Sequence, residues 1–276
     1  VRTLSTSSPT RYLAGAFGAP VAFVGLYAFF VRSYSGQIVD QLAFDGADFG
    51  SRSVTPVAET LLDQVPLVSA VIGLVLTLVI ALARRNWVTL LVAVCVAGAA
   101  VSTTQILKYG VLSRPDLGVS GYASNSFPSG HTTVAAASAL AVFLVSSPRF
   151  RPMVGAWGSA FAVAAGLSTV ANQWHRPSDV IAGLLVVAFW GCVAGVVLAS
   201  LPGRGLAIAR PWRAGRLILL IAPFALVTAL AFLITVSRAT SDSTETLIAY
   251  IGGMAAIVAA GFALAVVGTR LFIRLP

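Results

Sequence analysis

The sequence predicts an all-α, polytopic membrane protein with eight transmembrane helices, and three observations predict it. Of 276 residues, 58% are hydrophobic and 10% charged, whereas soluble domains carry about 25% charged residues. Mean hydropathy is +0.91. Eight apolar windows have the length needed to cross roughly 30 Å of hydrocarbon, and the charged residues fall between them. A water-soluble globule is thereby excluded. So are a disordered chain and a basic nucleic-acid-binding protein, because the net charge of +9 is distributed between apolar runs rather than gathered in one patch.

The windows lie at 13–31, 66–83, 87–107, 130–147, 153–170, 180–199, 217–236 and 247–269. None contains Asp, Glu, Lys or Arg, so an intramembrane ion relay or gating-charge array has no raw material here. The first window follows Arg2 and Arg11 and resembles a signal anchor, but no small-residue cleavage site ends it, and it is expected to be retained. The polar stretch 32–65 is mildly acidic, with a short amphipathic helix expected near Val57–Leu62. Cys95 and Cys192 fall inside apolar windows and read as small core residues. Trp87, Trp157, Trp174 and Trp212 fall near window ends and read as interfacial anchors, while Trp190 falls inside a window and reads as packing.

Charge sets the orientation. One set of connections carries twelve arginines and no acid: Arg2, Arg11, Arg84, Arg85, Arg149, Arg151, Arg204, Arg210, Arg213, Arg216, Arg270 and Arg274. The other carries all nine acids and six basic residues. Because Lys and Arg are retained in the cytoplasm, the first set is cytoplasmic and both termini lie there. The expected organisation is a six-span core at 1–203 that includes the 32–65 extracytoplasmic loop, a basic cytoplasmic linker at 204–216, and a C-terminal transmembrane hairpin at 217–276. A seventeen-to-one excess of Arg over Lys points to a GC-rich coding sequence.

The chain has one lysine and two histidines, and all three fall in two extracytoplasmic connections. The first runs from Lys108 through Arg114-Pro115 to Pro128-Ser129-Gly130-His131, and the second from Ser168-Thr169 to His175 and Asp179. Spans four and five return the chain to the face it left, so the two histidines can meet. Two imidazoles with a nearby carboxylate and two cations are what metal-free phosphoryl transfer through a phosphohistidine requires. In that scheme His175 is the nucleophile, Asp179 fixes its tautomer, and His131 protonates the leaving oxygen. Ser129 and Gly130, at a helix start, offer backbone N–H groups to a phosphate, and Lys108 and Arg114 bind its oxygens. No metal ligand set and no cofactor is called for.

These residues resemble the type 2 phosphatidic acid phosphatase (PAP2) family, which includes bacterial polyprenyl-diphosphate and phosphatidylglycerophosphate phosphatases. Its motifs, Lys-x6-Arg-Pro, Pro-Ser-Gly-His and Ser-Arg-x5-His-x3-Asp, correspond to Lys108-x5-Arg114-Pro115, Pro128-Ser129-Gly130-His131 and Ser168-Thr169-x5-His175-x3-Asp179. The resemblance spans roughly 60–200 and implies a six-helix core with its motifs at the extracytoplasmic face. It also implies hydrolysis of a lipid phosphate monoester or diphosphate, with membrane lipids as partners and, taken with the arginine-rich composition, a bacterial inner membrane as the location; the spread of charge already leaves no place for nucleic acid. Two departures stand out. Thr169 replaces the third-motif arginine, and Lys108 is one residue nearer to Arg114, a shift absorbed if Gly110 has already ended the helix. Arg176 is the one nearby candidate to replace the missing guanidinium, although sequence neighbours tend to point apart. The alternative reading is a catalytically weak or inactive relative serving as a subunit of a larger membrane complex.

Overall fold

The computed structural model describes residues 9–48, 64–119, 125–201, 215–238 and 243–272. Nine helices occur among them. In chain order they are α1 (Thr10–Leu26), α2 (Tyr34–Asp45), α3 (Val65–Ala83), α4 (Trp87–Ile106), α5 (Gly130–Val145), α6 (Arg151–Ala171), α7 (Pro177–Ser200), α8 (Gly215–Arg238) and α9 (Ser243–Phe272). α1 and α4 each run on through one π-helical turn, at Tyr27–Val31 and Leu107–Val111. No strand forms among the described residues.

Seven of these helices are long and apolar enough to cross a membrane. The expected fourth span forms as α5, which has 16 residues and so rises only about 24 Å, short of the roughly 30 Å a lone crossing needs. Its ends are fixed by local chemistry. Ser129 caps the start by accepting from the Thr132 N–H, and the backbone becomes extended at Ser146. α5 can be short because it is central, packing against α3, α4, α6 and α7. Other starts follow the same rules: Pro66, Pro152 and Pro177 stand in first turns, where a missing N–H costs nothing, and Asn86 caps α4.

α7 is the second central element, packed against α1, α4, α5 and α9. The two C-terminal helices form where expected and pack on each other, and the second of them also reaches the core. α9 packs against α2, α6, α7 and α8, and its Ile257 is fully buried with Val163, Val170 and Val180. Of the two, α8 is the more peripheral, with Leu219, Leu226, Leu230 and Leu233 exposed along its length. Cys192 is buried as expected, whereas Cys95 is on an exposed face of α4.

α2 was not expected. It is capped by Ser33 and buries Gly36, Gln37, Asp40, Gln41, Leu42 and Ala43. Its buried stripe is largely polar, so a search for apolar windows passes over it. The amphipathic helix expected near Val57–Leu62 and the linker at 204–214 lie outside the described residues.

The described arginines of the acid-free set gather at one end of the bundle, where Arg84 and Arg151 donate to carbonyls at helix C-termini. Arg151, 1% exposed, donates to the carbonyls of Phe272 (2.9 Å) and Leu144 (3.2 Å), joining α6 to the ends of α9 and α5. Arg84 donates to the Val145 carbonyl, and the Tyr12 hydroxyl to that of Leu271. The last carbonyls of a helix have no intrahelical donor, so these side chains supply one. The opposite end holds the histidines.

Candidate active site

At that end the N-termini of α5 and α7 meet. The Ser129 N–H donates to the Asp179 carbonyl at 2.9 Å, and the Thr133 hydroxyl donates to the Ser129 carbonyl at 2.8 Å. Ser129 is fully buried. It therefore joins the second motif to the third, and its N–H is engaged rather than offered to a ligand. Gly130, the first residue of α5, keeps the helix-start position at which an N–H has no intrahelical acceptor. His131 follows, its ring centroid 6.1 Å from that of His175 and 5.3 Å from Trp174. Trp174, expected as an interfacial anchor, thus packs against a candidate catalytic histidine.

His175 is delivered by a tight reversal at the end of α6. Gln173 has a left-handed φ of 56°, its N–H donates to the Val170 carbonyl, and the Trp174 and His175 N–H groups both donate to the Thr169 carbonyl. This double closure ends helices that turn back on themselves. The Gln173 side chain then donates to the Phe44 carbonyl and to Asp48, tying the turn to the α2 segment.

Asp179, at the third position of α7, is fully buried. Its Oδ2 lies 3.3 Å from His175 Nδ1 and accepts from the Ser126 hydroxyl (2.6 Å) and the Arg176 N–H (2.9 Å). A carboxylate on Nδ1 keeps the proton there and leaves Nε2 as the basic nitrogen. Lys108 and Arg114 both lie within electrostatic reach of Asp179. The structure therefore brings His131, His175, Asp179, Lys108 and Arg114 to one end of the bundle, around the starts of α5 and α7.

Lys108 does not sit in a loop. Gly110 leaves the helix unbroken: α4 continues through Leu107–Val111 as a π-helical turn and becomes extended at Leu112, shortly before Pro115. One-turn π-helical segments inside α-helices are frequent at functional sites, because they re-aim side chains by part of a turn. Asn125, in the connection before Pro128, donates to the carbonyls of Lys108, Leu112 and Phe127, which anchors the loop. Tyr122 lies outside the described residues.

The residues missed in sequence come from α2 and Ser126. Asp40, 2% exposed, accepts from Arg114 at 3.3 Å and from the Ser178 hydroxyl and N–H at 2.6 and 3.2 Å. Its carboxylate thus meets the positive N-terminus of α7. Burial and the neighbouring Asp179 carboxylate push its pKa up to about 6, against the pull of Arg114. Gln37 donates to the carbonyls of Val31 and Pro115, and the Tyr27 hydroxyl to that of Ser113, so the segment after α4 is held from both sides. Gln41 accepts twice from Arg176. The spacing 37, 40, 41, 44 is one helical face, but its distant partners leave no trace in a local pattern.

Thr169, where the family motif has arginine, is 2% exposed and donates to the Gly166 carbonyl of its own helix at 2.8 Å. It brings no charge to the site.

The fold and site define an integral helical membrane protein with a paired-histidine polar site at one end of its bundle. Residues 86–202, the segment that contains all three motifs, match the PAP2 superfamily model. No curated protein and no solved structure matches it. The superfamily's chemistry is phosphatase-type hydrolysis of phosphate esters.

Proposed function

We propose that this protein hydrolyses a lipid phosphate, a monoester or a diphosphate, at the extracytoplasmic face through a phospho-His175 intermediate. The observation that carries the reading is the His175 Nδ1 to Asp179 Oδ2 contact of 3.3 Å with the His131 ring at 6.1 Å. Nε2 of His175 attacks phosphorus and the bond from phosphorus to the lipid oxygen breaks. Protonated His131 gives its proton to that oxygen, and the lipid leaves as an alcohol or a lipid monophosphate. Neutral His131 then takes a proton from water as the water oxygen attacks the phosphohistidine, the N–P bond breaks, and inorganic phosphate leaves. Arg114, Lys108 and the Gly130 N–H contribute to holding the phosphoryl oxygens as charge shifts between them.

The extracytoplasmic assignment rests on the acid-free arginine set at the opposite end of the bundle. The test is phosphate release by the purified protein in detergent with EDTA, from phosphatidate, phosphatidylglycerophosphate and polyprenyl phosphates and diphosphates, beside His175→Ala. Release that is lost in the variant is expected. Thr169 favours a second reading, an inactive relative acting as an accessory subunit, since that position supplies no cation. Absence of release from every lipid by folded protein would leave the second reading in place of the first.

A further inference from the structure

The superfamily match begins at residue 86, so nothing in it speaks for α2, yet the polar face of α2 covers Arg176. The Arg176 side chain is 2% exposed. Its Nε and Nη2 donate to Gln41 Oε1 at 3.1 and 2.6 Å, its Nη1 donates to Ser126 Oγ at 3.2 Å, and its guanidinium lies 5.0 Å above the Phe44 ring. All of these partners are neutral. Arg114, by contrast, is paired with Asp40, and no carboxylate pairs with Arg176 among the described residues.

We propose that Arg176 is the third phosphate-binding cation of this site, in place of the arginine that position 169 lacks, and that Gln41 and Phe44 are the residues that position it. The inference rests on the phosphatase reading above and extends it to a segment outside the superfamily match. Three arguments carry it. The first is charge. A buried guanidinium is costly unless an anion meets it, and an amide oxygen and an aromatic face orient the group without neutralising it. Lys108, Arg114 and Arg176 are balanced by Asp40, Asp45 and Asp179, and protonation of His131 leaves one positive charge to meet a phosphate anion. The second is position. Ser126 Oγ bonds both Arg176 Nη1 and Asp179 Oδ2, so the guanidinium stands one hydroxyl away from the carboxylate that orients His175. The third is direction. Sequence neighbours of a nucleophile ordinarily diverge, but the extended backbone at Arg176 (φ −86°, ψ 158°) turns its side chain under α2 while α7 begins behind it.

The experiment measures orthovanadate binding by calorimetry to the full chain in phosphate-free detergent buffer, with phosphate release and thermal midpoint measured in parallel. Arg176→Gln is expected to weaken vanadate binding and to lower kcat/KM, each by about 10- to 100-fold, the worth of one hydrogen-bonded charge. Gln41→Ala, which keeps the cation and loosens its hold, is expected to give a smaller loss of the same kind. Thr169→Arg added to Arg176→Gln is expected to recover part of the affinity. A residue that merely pins α2 would lower the thermal midpoint and leave vanadate affinity unchanged, and that result would overturn the proposal. If Arg176→Gln does not fold, Arg176→Lys and Phe44→Leu carry the test, with unchanged affinity in both again overturning it. Wild-type protein that neither binds vanadate nor releases phosphate would bring down the phosphatase reading and this proposal together. Activity that needs His175 and is indifferent to Arg176 would bring down this proposal alone.

Discussion

Asp40 of α2 and Ser178 of α7 are 138 residues apart and share a 2.6 Å hydrogen bond. The same carboxylate oxygen accepts from Arg114. One buried acid therefore connects a helix that precedes the superfamily match to the first-motif arginine and to the helix that carries Asp179. This junction makes a polar-faced helix a structural part of the site, and it has a pH signature.

Because the folded-state pKa of Asp40 is about 6 and its ordinary value is 3.8, folding binds a proton between those values. Stability from this group is fully present below pH 4 and is lost as the pH rises through about 6. In Asp40→Asn that component vanishes. Thermal midpoints of both proteins in detergent across pH 4 to 7 are expected to differ in slope within this window, and superimposable slopes would show that Asp40 titrates normally.

Asp179→Asn tests the tautomer argument. An amide in place of the carboxylate no longer requires the proton on His175 Nδ1, so Nε2 loses its lone pair in a large share of molecules. By comparison with buried carboxylates that orient catalytic histidines elsewhere, kcat is expected to fall about 10³- to 10⁴-fold. Rapid-quench trapping of phosphohistidine is the direct measurement, and a wild-type rate of its formation would remove Asp179 from the role given to it.

Much of this was legible in the chain because its signals are local. Spans show as apolar runs near 20 residues, and the histidines stand out as the only two in a sequence with a single lysine. What escaped depends on distance. α2 buries Gln37, Asp40 and Gln41 against partners more than 70 residues away, and a polar stripe has no meaning until its partners are known. Lys108 was placed beyond the end of its helix because Gly110 is a weak helix former, but the flanking apolar residues carry the helix on to Val111. Trp174 sits near a window end like Trp87, Trp157 and Trp212, and only the reversal at Gln173 turns it onto His131. The small residues of α9 allow close packing but do not name its neighbours, which only the fold shows, with Gly252 against Ala231 and Gly253 against Pro177.

The arginines that set the orientation are also structural. Arg151 meets two helix-terminal carbonyls while 1% exposed, so Arg151→Met strands both and is expected to cost about 2–4 kcal/mol. Arg149→Met, at an exposed residue, is expected to stay within about 0.5 kcal/mol of wild type. Reversible denaturation in mixed micelles compares the two, and equal losses would mean that charge at this end, not hydrogen bonding, is what matters.

The tightest constraint on the catalytic geometry is the approach of α7 to the start of α5. A Cβ at Gly183 would lie 2.9 Å from the Ser129 carbonyl oxygen and 3.0 Å from Thr133 Oγ1. The first contact is closer than Cβ atoms tolerate and the second is tight, and the carbonyl belongs to a backbone that is itself fixed by the Asp179 hydrogen bond. Gly183→Ala must therefore push the start of α5 outward and carry His131 away from His175, whose ring centroids are now 6.1 Å apart. Misplacement of a reacting group by about 1 Å can cost on the order of 10² in rate. Phosphate release is accordingly expected to drop by about that factor, with substrate binding affected less. Gly98→Ala, where a Cβ meets nothing within 4 Å, is the matched control, since it adds the same methyl group to a transmembrane helix without touching the site. If the two variants retained equal activity, the close approach of α7 to Ser129 would not be what sets the distance between the histidines.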